Sequence, residues 1–296
     1  MEILDGKIVS SDLKLKLALE VEKLCKAGKR SPHLCAILIG SNGASETYVA
    51  SKAKNCMEIG FKSSVLRFDD TISEEDLLRK IREINSDDSI DGLIVQLPLP
   101  LHISVQKVME TISPAKDVDG FHPFNTGRLI QNLPCFIPAT PFGILLMMEY
   151  YKIETSGKNC VILGRSNIVG MPMSILMSRN SNPGNCTVTL CHSKTFDLPS
   201  ITRNADIIIA ALGRPGFVKE NMVKEGAIVF DVGITRIPSQ QTKSGFKISG
   251  DVDFENVSNK VSWITPVPGG VGLMTIVGLL MNTLKAARKE ISFFEY

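Results

Sequence analysis

Two rhythms of apolar residues alternate along the chain. Compact apolar runs at residues 34–39, 92–97, 159–163, 206–212 and 227–232 read as buried strands, and residues 61–68 and 187–191 alternate enough to read as strands too. Helix-period stretches lie between them. In residues 11–26, apolar side chains recur at 13, 15, 17, 19, 21 and 24 among Lys and Glu, and Gly28 stops the pattern. Residues 45–59 form a second predicted helix, with Ser45 as its cap and Gly60 at its end. Ser73 caps a third over 73–84, with acids in its first turn. A helix over about 169–179 follows the 159–163 strand, and a long apolar one runs from about 273 to 291. Strands and helices that alternate in this way predict an α/β fold built on parallel sheets.

Length adds a division. With 296 residues, about two domains are expected. Residues 113–140 are rich in Pro, Gly and Asn and mark the boundary region. An apolar content of 44% excludes a disordered chain. Lys and Arg total 33 against 31 Asp and Glu, a net charge of +2, which offers no basic excess for nucleic acid. The most apolar stretch, 267–284, is broken by Pro268, Gly269, Gly270, Gly272 and Gly278, so no membrane span is expected. Seven cysteines at irregular spacing, with no CxxC, read as buried reduced thiols. Cys186, Cys191 and His192 are the one Cys/His cluster. On a single strand Cys186 and Cys191 would face opposite sides, so no metal site is expected. The N-terminal residues lack the apolar or Arg-rich pattern of a targeting segment, and none is expected.

The strand VILG, the loop GRSNIVGMP and a helix follow one another at residues 161–172. Gly164 makes a tight turn, Gly170 allows close packing, and N–H groups at the helix start can hold a pyrophosphate. Ser166 stands where the dinucleotide fingerprint has its second glycine, so an ordinary strand-to-helix turn is the competing reading. The next strand ends in His192-Ser193-Lys194-Thr195 with no carboxylate to receive a ribose hydroxyl. Together with Arg165, that chemistry favours NADP over NAD, unless these residues are only a solvated polar rim.

Ser45, Tyr48 and Lys52 share one helix face. Such a Tyr–Lys pair is commonly structural. Gln96, at the end of a buried strand, and Asp117 and Asp119, in the loop KDVDGF, make a site conceivable, in which a desolvated Lys52 would become a usable base. The segment ITPVPGGVGLMT reads either as a rigid helix cap or as a glycine wall approached by a flat ligand. Helix capping is expected of Asp251 and Asp253.

Tyr48-x-x-x-Lys52, VQLPLP at 95–100, KDVDGF at 116–121, PATPFG at 138–143, GRSNIVGMP at 164–172, CHSKT at 191–195 and TPVPGGVG at 265–272 occur in that order. Jointly, over nearly the whole chain, they resemble the bifunctional methylenetetrahydrofolate dehydrogenase/methenyltetrahydrofolate cyclohydrolase (FolD-type) family. The resemblance implies a folate-binding α/β catalytic domain over 1–140, completed by the C-terminal helix at about 273–296. It implies a Rossmann-like NADP-binding domain over 141–272, with an active-site cleft between the two. The implied reaction oxidises 5,10-methylene-tetrahydrofolate with NADP to the 5,10-methenyl form and hydrolyses that to 10-formyl-tetrahydrofolate. A cytoplasmic homodimer serving one-carbon metabolism and purine biosynthesis is implied as well. By the same resemblance Lys52 is catalytic, Gln96 tunes it and Tyr48 packs on the pterin. Asp119 anchors the pterin, while Ser45, Gly269 and Gly270 adjoin the substrate. Gly164, Arg165, Ser166, Ile168, Val169, His192, Ser193 and Ile234 contact the NADP. One departure is Leu273, where the family usually has proline; its N–H is free to bond at the helix start.

Two other readings compete. A different two-domain NADP dehydrogenase, resembling shikimate dehydrogenase, would need a small polyol site in place of a flat pterin pocket. A non-catalytic folate or nucleotide sensor would bind both ligands without turnover, and the retained Lys52 and Gln96 argue against it.

Overall fold

A computed structural model of the chain describes residues 1–240, 242 and 245–292. In chain order it begins with β1 (Glu2–Ile3), α1 (Gly6–Lys26), β2 (His33–Ile39), α2 (Gly43–Glu58), β3 (Lys62–Phe68), α3 (Glu74–Asn85) and β4 (Gly92–Val95). It continues through α4 (Val105–Thr111), α5 (Pro123–Ile130), α6 (Ala139–Tyr150), β5 (Asn159–Leu163), α7 (Gly170–Ser178), β6 (Thr187–Cys191), α8 (Leu198–Thr202) and β7 (Ile207–Ala210). It closes with β8 (Ile228–Asp231), β9 (Thr235–Pro238), β10 (Phe246–Ser249), α9 (Phe254–Val257), β11 (Trp263–Ile264) and α10 (Val271–Ala287). The expected helix-bearing stretch to 296 includes residues 293–296, which lie outside the described residues.

The chain divides into two compact units. One holds residues 12–139 and the chain from Ile276 onward. Its sheet is three-stranded and parallel in the order β3-β2-β4. β2 is the central strand and is buried at every position, which is why it reads as a continuous apolar run. Ile37, Leu77, Ile81, Leu93 and Val108 are fully buried and join the sheet to α3 and α4 in one core.

The other unit holds residues 1–11 and 140–275. Its six-stranded sheet runs β1-β11-β8-β7-β5-β6, parallel throughout. The first residues join this sheet at its edge. β1 pairs with β11 through Glu2↔Trp263 and Ile3↔Ile264, and Leu4 N–H donates to Ile264 O at 2.9 Å. A two-residue edge strand has too short an apolar pattern to announce itself in the sequence. Likewise, α5 and the start of α6 occupy the Pro- and Gly-rich stretch that reads as a connector.

Two local expectations are corrected. The cap of α2 is Asn42, whose Oδ1 accepts the N–H groups of Ala44 (3.0 Å) and Ser45 (3.1 Å). Ser45 sits inside the first turn with its side chain buried. Cys186 precedes β6 instead of lying on it, and its thiol donates to Thr155 O at 3.0 Å. The described cysteines are all free thiols. No helix among the described residues is long and apolar enough to cross a membrane.

Asn42 supplies the side-chain cap of the helix that carries Tyr48 and Lys52. Asn42→Ala is expected to lower stability by about 1 kcal/mol, read as a lower thermal unfolding midpoint. An unchanged midpoint would remove Asn42 from that role.

Candidate active site

In the first unit the decisive residue is Lys52. The buried stripe of α2 is Ser45, Val49, Lys52 and Cys56. A lysine in that stripe is 5% exposed, so its stem cannot carry the ammonium out to solvent as lysines ordinarily do. Burial pushes the Lys52 pKa down, and the negative charge of Asp119 opposes that shift. Burial in turn pushes the Asp119 carboxyl up, with the Lys52 charge pulling it back. Cys56, next along the stripe, is pushed up to about 12 by the same burial and does not compete as a thiolate.

Two more groups complete the surroundings. Lys52 Nζ donates to Gln96 Oε1 at 3.4 Å and lies 4.8 Å from the centroid of the Tyr48 ring, within cation–π range. Gln96 follows the last residue of β4. Its backbone N–H donates to Ile37 O at 2.9 Å, and its Nε2 donates to Leu97 O at 2.7 Å. That second bond decides which end of the amide faces the lysine, because only the oxygen remains to accept. Lys52, Gln96, Tyr48 and Asp119 are thereby brought together, with Ser45 on the same buried stripe.

Asp117 plays a different part from the one its position in the loop suggests. It is 1% exposed and accepts N–H groups from Phe121 (3.1 Å), His122 (2.8 Å) and Asn125 Nδ2 (2.9 Å). Its carboxylate shapes the loop from inside. Burial pushes its pKa up to about 7, against those three donors.

In the second unit the strands are parallel, so the loops after β5, β6, β7, β8 and β11 leave one sheet edge, the edge where α/β folds place ligands. A Cβ on Gly164 (φ 112°) would overlap the Ala211 carbonyl oxygen, and one on Gly170 would overlap the Gly164 carbonyl. Both glycines are required by close backbone approach. Ser166 Oγ accepts the N–H groups of Val169 (3.3 Å) and Gly170 (3.4 Å), which closes the turn into α7. Arg165 and Ile168 are exposed, and Val169 is buried.

The turn after β6 lies beside that loop: Leu163 pairs with Cys191, and Gly164 N–H donates to Cys191 O at 2.9 Å. Its geometry is internal. His192 N–H donates to Thr195 Oγ1 at 2.8 Å, and Lys194 N–H donates to His192 Nδ1 at 3.2 Å. His192 Nδ1 is therefore an acceptor, and Ser193 and Lys194 are left exposed. Ile234 and the pair Gly269 and Gly270 belong to other loops of the same edge. Ile234 is exposed near Gly272, and Gly270 packs against Pro266 and Gly6. Leu273 N–H donates to Gly270 O at 3.2 Å, so the N–H that a proline would lack is used in the first turn of α10.

Sequence reasoning missed the groups that hold these loops. Asp251 is fully buried and caps no helix; it accepts the N–H groups of Leu212 (2.5 Å), Gly213 (3.0 Å) and Arg214 (2.7 Å). Asp253 stands at the start of α9 but makes no side-chain cap, bonding instead to Lys219 and Asn256. Asp231 accepts from Gly233, Asp251 and Val252, and burial pushes its pKa up to about 6. For Asp231 the signal available was a lone acid closing an apolar strand run, which is too common to single out. Among the described residues no cluster of His, Cys, Asp and Glu could hold a metal ion.

Comparison with known proteins fits this geometry. Residues 4–119 match the tetrahydrofolate dehydrogenase/cyclohydrolase catalytic domain, and residues 138–291 match the NAD(P)-binding domain of the same enzymes. The bifunctional protein FolD of Bacteroides thetaiotaomicron is 59% identical over 98% of this chain and 99% of its own length. A crystal structure of the bifunctional FolD dehydrogenase/cyclohydrolase of Campylobacter jejuni shares 49% identity, covers 98% of this chain and all of its own, and superposes with a TM-score of 0.91. The Trypanosoma brucei FolD structure, complexed with NADP cofactor and an inhibitor, has 34% identity over 97% of each chain and a TM-score of 0.91.

The pKa shift of Asp117 fixes a sign for stability. Its carboxyl binds its proton up to about 7 when folded and only up to about 3.8 when unfolded. The stabilisation is complete below the unfolded value and is lost as pH rises through about 7. The unfolding midpoint should therefore fall over that interval, and Asp117→Asn should flatten the fall. An equally steep fall in the variant would mean that Asp117 does not titrate there.

Both family models and full-length relatives thus agree with a buried Lys–Asp–Gln cluster in one unit and a glycine-cradled loop in the other: this chain belongs to the tetrahydrofolate dehydrogenase/cyclohydrolase family.

Proposed function

We propose that the chain catalyses the NADP-dependent oxidation of 5,10-methylene-tetrahydrofolate to 5,10-methenyl-tetrahydrofolate and the hydrolysis of that product to 10-formyl-tetrahydrofolate. The observation that carries this reading is the buried Lys52 ammonium beside Asp119, Gln96 and Tyr48. An ion desolvated at this cost is out of keeping with a structural surface lysine and suits a proton carrier.

The fit to NADP rests on the loop chemistry. The Gly164–Gly170 turn leaves no room for side chains where the backbone would approach a pyrophosphate. Arg165, Ser193 and Lys194 are exposed cationic and hydroxyl groups suited to a 2′-phosphate, and no carboxylate stands among them. Ser166 closes the turn, and Ile168, Val169, His192 and Ile234 would supply its apolar and hydrogen-bonding lining. When bound, the cofactor supplies the acceptor for the hydride that leaves the one-carbon bridge. The chain's part in that step is alignment.

In the hydrolytic step the chain moves protons. Water adds to the methenyl carbon and yields one proton to Lys52 Nζ, whose pKa burial lowers toward that of a usable base. The remaining hydroxyl proton passes to N5 as the bond from that carbon to N5 breaks. Gln96 Oε1 orients Nζ, the Tyr48 ring offers a face to the pterin, and Asp119 accepts the pterin's amino and ring N–H groups. Ser45, Gly269 and Gly270 adjoin the substrate. A cytoplasmic homodimer supplying one-carbon units for purine synthesis is the setting we infer; the free thiols suit a reducing compartment.

One assay tests the whole reading: purified protein with 5,10-methylene-tetrahydrofolate and NADP or NAD, following reduced nicotinamide, methenyl and 10-formyl products together. NADP-dependent reduction that ends in 10-formyl product is expected, and no reduction by folded protein overturns the reading. Lys52→Met should lower the hydrolysis rate by about 10²–10⁴-fold while hydride transfer persists. A wild-type hydrolysis rate in that variant would exclude Lys52 from the step. Arg165→Ala should raise KM for NADP by about tenfold or more, the value of a lost charge-assisted bond, and leave KM for NAD unchanged. Equal effects on the two cofactors would refute a 2′-phosphate role.

A further inference from the structure

The segment that carries Asp119 forms neither helix nor extended strand, yet its backbone is bonded on every side. Asn125, fully buried on α5, donates through Nδ2 to Pro114 O (3.1 Å) and Asp117 Oδ2 (2.9 Å) and accepts Phe136 N–H at 3.2 Å. Asn282, fully buried on α10, donates through Nδ2 to Val118 O (2.9 Å) and Ile137 O (2.8 Å). The Asp119 carbonyl accepts Ala139 N–H at 3.3 Å. Gly120, at φ 74°, sits where a Cβ would come within 2.7 Å of Phe136 O and Pro138 N. The two asparagines thus tie residues 114–118 to residues 136–137, the segments that precede and follow Asp119 along the chain.

Asn282 does this at a cost to the fold. Its Oδ1 is the one buried side-chain polar atom among the described residues with no hydrogen-bond partner. An orphaned buried acceptor destabilises, and asparagine is a poor interior residue for an apolar helix. Its two donors are what it contributes, and both act on the backbone that flanks Asp119.

We propose that Asn125 and Asn282 are positioning residues for the folate substrate, acting through the 117–121 backbone to present the Asp119 carboxylate beside Lys52. The proposal rests on the reading of Asp119 as the pterin anchor. A pterin accepted by a fixed carboxylate needs that carboxylate held to well under an ångström, and a loop without secondary structure does not hold it unaided.

The test is steady-state kinetics on the full chain, with Asn125→Ser, Asn282→Ser, Asp119→Ala and the two double variants, each checked for a cooperative thermal transition. Each serine variant is expected to raise KM for 5,10-methylene-tetrahydrofolate by about ten- to a hundredfold, more than it lowers kcat, with KM for NADP unchanged. In the Asp119→Ala background the serine substitutions should add no further rise, because their effect passes through the carboxylate. The same factor in both backgrounds, or an equal rise in KM for NADP, would make the asparagines merely structural and overturn the proposal while leaving the Asp119 anchor standing. An unchanged folate KM in Asp119→Ala alone would instead remove the anchor, and the proposal with it. If a serine variant lacks a cooperative transition, Asn125→Thr and Asn282→Thr, which keep one donor and more volume, are read by the same criteria.

Discussion

The desolvated ammonium of Lys52 is the constraint around which the catalytic unit is arranged. A cation in the apolar stripe of α2, between Val49 and Cys56, costs several kcal/mol unless charge and hydrogen bonds offset it. Asp119 supplies the charge, Gln96 the acceptor and Tyr48 a polarisable face. Each partner sets its own requirement. Gln96 must sit one residue past β4 with its amide turned by Leu97 O. Asp119 must be delivered by a loop with no regular secondary structure.

The loops of both units are held by the same device: a buried carboxylate or amide that collects backbone groups from several segments. Asp117, Asn125 and Asn282 do this around Asp119. Asp231 and Asp251 do it in the second unit, where six backbone N–H groups from residues 212–214, 233, 251 and 252 converge on two carboxylates. Each N–H group stabilises the ionised acid, yet burial is the larger effect at Asp117 and Asp231 and raises both pKa values.

The loop between β5 and α7 follows another principle, backbone proximity. Gly164 and Gly170 are so close to neighbouring carbonyls that no side chain fits, and Ser166, standing in place of a fingerprint glycine, turns its hydroxyl onto the α7 N-terminus. This accounts for an irregular glycine spacing in a well-formed turn. The hydroxyl closes the loop, where a glycine would have opened space. The consequence is a rim of exposed Arg165, Ser193 and Lys194 beside a compact, self-bonded turn.

By itself the sequence determined the alternation of elements, because central parallel strands must be apolar throughout and their helices amphipathic. β2, β3, β5, β6 and α3 lie within about two residues of where periodicity puts them. Tyr48, Lys52, Gln96 and Asp119 were legible as candidates because strand ends, glycine turns and helix faces constrain where polar residues can serve. Only the tertiary structure decided that Lys52 is buried, that Asn42 and not Ser45 caps its helix, and that the first strand pairs with β11. It alone separated Asp117, which shapes the loop, from Asp119, which faces the lysine. Burial and long-range hydrogen bonds join residues 118 and 282, or 125 and 136. No local pattern encodes such pairs, since the chemistry of each residue depends on which distant backbone groups the fold brings to it.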